Sequence, residues 1–187
     1  DGTSGTLLAC SNEGEAYGEA LEFKLIFPQY INTITSLVPE EADAIYSYSS
    51  LSRAIHLIKK YGENIYLRHQ ADWISGWLLN NWTWGEEGNN LRLGWNLRRK
   101  EWPNIYLQNK WKYSLPKIIE SGKIFGKICH NKANQLDLPE DTLIVAGTTD
   151  SNAAVIASGA KKDEGITVLG STIVVKSFVN SPLKGLG

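Results

Sequence analysis

The stretch Leu143-Ile144-Val145-Ala146-Gly147-Thr148-Thr149-Asp150-Ser151-Asn152-Ala153-Ala154 constrains this chain more than any other. Its four leading apolar residues read as a buried strand, and Gly147 with two threonines turns the chain. Asp150 falls at the mouth of that turn, and Ser151 through Ala160 reads as a helix of small residues. An acid placed where a strand ends and a helix begins is a common ligand-site position in α/β proteins. The free N–H groups of the helix N-terminus suit an incoming phosphate. A second strand, Gly165-Ile166-Thr167-Val168-Leu169, ends in the small, hydroxyl-rich turn Gly170-Ser171-Thr172, 20 positions after Asp150. An acid and a phosphate-type turn are thus paired.

The bulk numbers exclude several classes. With 187 residues and 42% hydrophobic content, the chain holds one large domain or one and a half small ones. A net charge of −1 gives no electrostatic case for nucleic acid or a membrane surface. Cys10 and Cys129 are too few for a disulfide framework, so a reducing, cytoplasmic setting is the default. No apolar run approaches the roughly 18 residues that span a bilayer, and the first residues lack the features of a signal peptide. The absence of methionine and an end without a closing element point to a piece of a longer protein.

Along the chain, Leu7-Leu8-Ala9-Cys10 reads as a short buried strand. Asn12-Glu13-Gly14 follows as a hairpin turn, and Ala20 to Phe27 is available to pair back. Ser49-Ser50 caps a helix with Leu51, Ala54, Ile55 and Ile58 on its apolar face, Arg53, Lys59 and Lys60 outward and Gly62 at its end. His69 to Leu79 reads as a second helix with Ala71, Ile74 and Leu78 inward. Within it, Asp72 is either a site carboxylate or a structural cap, the structural role being favoured. The tryptophans clustered between Trp73 and Trp102 lie beside leucines and read as core rather than as a sugar-stacking platform. Leu107 to Ile119, with Leu115-Pro116-Lys117-Ile118-Ile119 and then Gly122 and Gly126, reads as turn, short helix and turn, and Asn131 to Leu138 as another short helix stopped by Pro139. The class is mixed α/β: a short β segment, a long helical insertion over about 49–138, a strand–turn–helix, then new strands. A domain change falls near Ser158 to Gly165.

The chain contains no Walker-type phosphate loop, no dinucleotide-binding glycine turn and no serine elbow. Its histidines, His56, His69 and His130, show no zinc spacing. What remains is one acid between two small-residue turns. A phosphate over Gly170 and Ser171 would be held by their amides and hydroxyl, while a carboxylate opposite accepts a proton from an attacking alcohol. That is the logic of phosphoryl transfer with Mg²⁺ balancing the charge. Spacing alone leaves equal room for a structural Asp150 that caps its helix.

Ala146-Gly147-Thr148-Thr149-Asp150-Ser151-Asn152-Ala153-Ala154 resembles the Gly-x-x-Asp-x-x-Ala-Ala segment of the FGGY carbohydrate kinases. Val168-Leu169-Gly170-Ser171-Thr172 resembles the Gly-Thr-Ser turn that follows it there. Asp1-Gly2-Thr3-Ser4-Gly5-Thr6-Leu7-Leu8, His69-Gln70-Ala71-Asp72-Trp73 and Leu115-Pro116 resemble one branch, the plant and cyanobacterial xylulose-kinase-like proteins, which look like ketopentose kinases. The matches run the length of the chain in order.

The resemblance implies ribonuclease-H-like domains of the actin-type ATPase fold, with ATP and Mg²⁺ in the cleft between two of them. It implies Asp150 as catalytic base toward a D-xylulose or D-ribulose hydroxyl. It places Gly170, Ser171 and Thr172 at the ATP phosphates, and Ser4, Gly5 and Asp72 on the sugar side. Residues 1–158 would be most of the sugar-side domain, and 159–187 the opening strands of a truncated ATP-side domain. A cytoplasmic or, in a plant, plastid-like compartment and a homodimer are compatible with this reading. The sequence departs from the family in three respects. The first phosphate loop is missing, the Trp-x-Asp-x-Arg segment is absent from Ala20 to Ala44, and relatives continue far beyond Gly187. The piece by itself is therefore expected to be inactive, with apolar strands near Ile166 to Phe178 uncovered. The alternatives are a non-catalytic carbohydrate-binding or scaffold protein on the same fold, and an actin-type ATPase that phosphorylates no sugar.

Overall fold

The structure is a computed structural model that describes residues 6–18, 20–21, 25, 27–37, 50–108, 110–169 and 173–180. Strand β1 (Leu7–Cys10) is buried at every position, as expected of four consecutive apolar residues with no polar alternate. It pairs antiparallel with β2 (Tyr66–His69), Leu7 opposite His69 and Cys10 opposite Tyr66. On its other edge the chain turns at Asn12 and Glu13 and comes back, with Cys10 bridging Ala16 and Leu7 bridging Leu21. The expected return after the hairpin is therefore present at Leu21.

Helix α1 (Ile31–Leu37) follows the single turn Pro28–Tyr30, and α2 (Ser50–Tyr61) packs on β1. Leu51, Ala54, Ile55 and Ile58 of α2 are buried as their spacing predicts, and the chain leaves the helix at Gly62 with φ +85°. Arg53 does not face outward: it is fully buried and donates from Nη2 to Ser50 Oγ at 3.1 Å. Burial draws its pKa down to about 10. His56 stacks on Phe27 with ring centroids 4.4 Å apart.

Helix α3 (Gln70–Leu79) leads through Trp82 into β3 (Trp84–Glu86), the short α4 (Glu87–Asn90) and a single turn Leu91–Leu93. Helix α5 (Asn104–Gln108) and the turn Lys110–Tyr113 precede β4 (Lys117–Ile119), which runs parallel to β3. The sequence reads Lys117–Ile119 as helix. It is a strand because Ile118-Ile119 suits a sheet and pairs with β3, with Lys117 N–H already bonded to Thr83 O at 2.9 Å. Strand β5 (Ile124–Lys127) pairs antiparallel with β6 (Leu143–Val145), and α6 (His130–Leu136) lies between them in sequence. The stretch read as a helical insertion thus also carries β2 to β5. Helix α7 (Asp150–Ala157) follows β6, and β7 (Gly165–Leu169) and β8 (Ile173–Ser177) form a hairpin. Its apolar residues are open as expected: Leu169, Ile173 and Val175 each remain more than 70% exposed.

Of the expected apolar face of α3, Leu78 alone packs inward, against the cluster of Ile128, Ala133 and Ile144. Ala71 and Ile74 are exposed, whereas Asp72 and Gly76 point inward. Gly76 lets the Trp82 indole lie against the helix backbone, where Trp82 Nε1 donates to Trp73 O at 3.1 Å. Trp82 and Trp102 are core residues, as read from the sequence.

Beneath α3 lies a buried polar layer. Arg68, 1% exposed, donates from Nε to Trp82 O at 2.6 Å, and from Nη1 to Leu67 O at 2.6 Å and Ser114 O at 2.9 Å. His69 Nε2 lies 2.8 Å from Ser50 Oγ, and His69 Nδ1 lies 3.8 Å from Asp72 Oδ2. Asp72 accepts from Glu86 N at 2.9 Å and from Asn90 Nδ2 at 3.0 Å. Burial lowers the His69 pKa to about 3, helped by the charge of Arg53. Burial raises that of Asp72 to about 7 against the opposing hydrogen bonds from Glu86 and Asn90. Both groups are therefore neutral in the fold near pH 6.

Two predictions follow from this packing. Ala ordinarily outdoes Gly inside a helix, but a Cβ on Gly76 would sit 2.4 Å from Trp82 Cδ1. Gly76→Ala is therefore expected to destabilise the protein by about 1–3 kcal/mol in urea unfolding. The second concerns pH. Between the unfolded values, 3.8 for Asp72 and 6.5 for His69, folding moves one proton from His69 to Asp72 with no net uptake, so the pair leaves stability flat. Below that window the depressed His69 makes stability fall as pH drops toward 3, because the unfolded state then binds more protons. Above it the raised Asp72 value makes stability fall as pH rises through about 7, because there the native state binds more protons. Asp72→Asn should flatten the decline between pH 6 and 8, whatever its absolute cost. Parallel urea midpoints for the two proteins across that range would contradict the assignment.

Candidate functional site

Strand β6 is covered on one side only. Ile144 is buried, while Leu143 and Val145 are 49% and 47% exposed, so the strand read as wholly buried alternates. Ala146, 1% exposed, is the last anchored residue: its N–H donates to Lys123 O at 2.8 Å and its carbonyl accepts from Gly122 N–H at 2.7 Å. Gly147 then enters open space, with nothing within 4 Å of where a Cβ would lie. Thr149 is the N-cap of α7, extended at φ −67°, ψ 150°, and Asp150 is the first helical residue.

Asp150 is exposed, and its Oδ1 accepts from Ser151 N–H at 2.7 Å. The carboxylate is thus available at the edge between sheet and helix. The start of α7 departs from the expectation of free amides for a phosphate. Ser151 N–H is taken by Asp150, and Asn152 N–H and Ala153 N–H both bond to Thr149 O at 3.0 and 2.9 Å. A carboxylate in the first turn both occupies a donor and repels an anion, so phosphate contacts must come from elsewhere. Lys176 of β8 reaches this turn, donating from Nζ to Ser151 Oγ at 2.8 Å and to Asn152 Oδ1 at 2.6 Å.

Among the other residues singled out from the sequence, Ser4, Gly5, Gly170, Ser171 and Thr172 lie outside the described residues. Asp72 is a correction. It is 2% exposed, and both its oxygens already accept hydrogen bonds within the protein, so it braces β3 and α4 rather than presenting itself to a sugar. Lys176 was not legible as a partner of Ser151 and Asn152, being some 25 positions away. Nor was Glu86, a buried acid whose only local signal is the following Gly-Asn pair that it caps.

Among the described residues no group of three or more His, Cys, Asp or Glu could hold a metal ion. Mg²⁺ in phosphoryl-transfer sites takes one or two protein carboxylates beside substrate phosphates, so it needs no such cluster of protein ligands. No described helix is long and apolar enough to cross a membrane.

No family model matches the sequence. The fold has solved counterparts. A xylulose kinase from Lactobacillus acidophilus, in ligand-bound form, superposes with TM-score 0.77 at 16% identity, covering 95% of this chain and 39% of that one. A carbohydrate kinase from Novosphingobium aromaticivorans gives TM-score 0.75 at 15% identity, covering 96% and 42%. Plasmodium falciparum glycerol kinase with ADP gives 0.75 at 14%, covering 91% and 37%. The chain therefore spans about two fifths of the length of these proteins. Nearly all of it shares their architecture, the mixed α/β, ribonuclease-H-like fold of the actin-type ATPases and sugar kinases.

Proposed function

We propose that this chain is part of an ATP-dependent carbohydrate kinase, with Asp150 as the base that accepts the proton of the attacking sugar hydroxyl. One observation carries the reading: an exposed carboxylate stands where β6 turns into α7, in a fold shared with carbohydrate kinases. The Ser151 N–H holds one Asp150 oxygen, and the other is the one we assign to the bound alcohol. ATP with Mg²⁺ supplies the phosphoryl group and the charge balance. Gly170, Ser171 and Thr172 are the residues we assign to its phosphates, and Ser4 and Gly5 to the sugar pocket. A ketopentose such as D-xylulose or D-ribulose is the acceptor we favour, on the xylulose-kinase-like motifs in the sequence. Residues 1–158 then form most of the sugar-side domain and 159–187 the start of the nucleotide-side domain. The end of α7 at Ala157 and the separate β7–β8 hairpin support that division. A homodimer in the cytoplasm, or in a plastid-like compartment of a plant, is compatible with the proposal.

Asp150→Asn in the full-length protein tests it. ATP-dependent phosphorylation, screened over pentuloses, pentitols and glycerol, should fall about 10²–10⁴-fold in kcat, with sugar binding by calorimetry nearly unchanged. Undiminished turnover in the variant would remove Asp150 from the chemistry. Sugar binding without any phosphorylation by the unaltered protein would favour a carbohydrate-binding role instead.

A further inference from the structure

We propose that Glu86 and Ser121 are positioning residues for the turn that carries Asp150; the inference rests on the reading of Asp150 as the reacting acid. Glu86 is 2% exposed and its carboxylate is multiply engaged. Oε1 accepts from Gly88 N–H at 2.7 Å and Oε2 from Asn89 N–H at 2.8 Å, which caps α4. Those two bonds are local and would satisfy a helix start by themselves. The third spans 35 positions: Ser121 Oγ donates to Glu86 Oε1 at 2.5 Å.

Ser121 belongs to the turn between β4 and β5, and that turn is bonded to the far end of β6. Gly122 N–H donates to Ala146 O, and Ala146 N–H donates to Lys123 O. Ala146 is the last buried residue before the open stretch at Gly147, so the direction in which the chain leaves toward Asp150 is set at this pair. The Glu86 backbone is itself held, through its N–H, by Asp72. The result is a continuous line from the buried polar layer through Asp72, Glu86, Ser121 and Ala146 to the acid.

A surface link runs alongside it. Lys100 Nζ lies 2.6 Å from Glu87 and 3.3 Å from Glu120, the neighbours of Glu86 and Ser121. Lys100 and Glu120 are about half exposed, so water and salt weaken this link. The buried acceptor gives the Ser121 bond its advantage, since a hydrogen bond away from water is electrostatically stronger and costly to leave unmade.

The test compares Ser121→Ala, Ser121→Thr and Lys100→Ala in the full-length protein. Amide hydrogen exchange is read at Gly122 and Ala146, with Leu7 and Tyr17 beside β1 as internal references, and kcat and KM are measured for sugar phosphorylation. Ser121→Ala should speed exchange at Gly122 and Ala146 about tenfold while leaving Leu7 and Tyr17 unchanged. It should lower kcat by a similar factor, with KM for sugar and ATP within about twofold. Ser121→Thr, which keeps the hydroxyl, should restore both, and Lys100→Ala should alter neither by more than about twofold. Exchange that stays slow, or that rises equally beside β1, overturns the proposal. So does faster local exchange with kcat unchanged. Should the unaltered protein phosphorylate nothing, the reading of Asp150 fails, and the exchange pattern alone still decides whether the Glu86–Ser121 contact holds the turn.

Discussion

The structure depends on a demand made by one desolvated cation. Arg68 sits in strand β2 with its guanidinium buried, and a charge out of water must be surrounded by acceptors. It finds them in the carbonyls of Leu67, Trp82 and Ser114. Trp82 lies at the exit of α3 and Ser114 at the approach to β4, so one side chain gathers segments far apart in sequence. The burial also draws its pKa down to about 10, which still leaves it a cation at physiological pH. The apolar strand β1 beside it provides the burial, because all four of its residues are covered.

The layer around Arg68 extends the same need for buried polar partners to two acids. Asp72 and Glu86 are both nearly inaccessible, and each is surrounded by donors drawn from the next segment along the chain. Short strands of three or four residues bury too little surface to be stable alone. Here they are tied through polar contacts as much as through apolar packing. In the outer part of the molecule the side-chain ties are exposed ones, such as Lys176 to Ser151 and Asn152. Strand β6 is covered on one face, α7 buries only Val155, and the β7–β8 hairpin leaves most of its apolar side chains open. Asp150 stands at the border between the two regimes, one turn beyond the last anchored residue.

Much of the outline was legible in the sequence. Leu7–Cys10, Ser50–Tyr61, Leu143–Val145 and the hairpin over 165–177 announce themselves by runs of apolar residues or helical spacing. The strand–turn–helix around Asp150 was readable because a Gly-Thr-Thr turn separates an apolar run from a small-residue one. Arg53 was judged by hydrophobicity, which sends charged residues outward, yet it is buried with Ser50 of its own helix as acceptor, whereas the donors that hold Asp72 come from the segment after its helix. Lys117–Ile119 was taken for helix because a strand of three residues is recognised by its neighbour, Trp84–Glu86, and not by its own pattern.

By itself, the sequence determined which segments are apolar enough to be buried and where the chain must turn, and it placed an acid at the end of a strand. Those are local matters of periodicity and backbone preference. Only the tertiary structure decided that Asp72 and Glu86 face inward, that Ser151 and Asn152 meet Lys176, and that Ser121 reaches a carboxylate 35 positions away. Each of these depends on the high cost of leaving a buried polar group unsatisfied, and the partner that meets that cost is fixed by the folded geometry rather than by nearness along the chain.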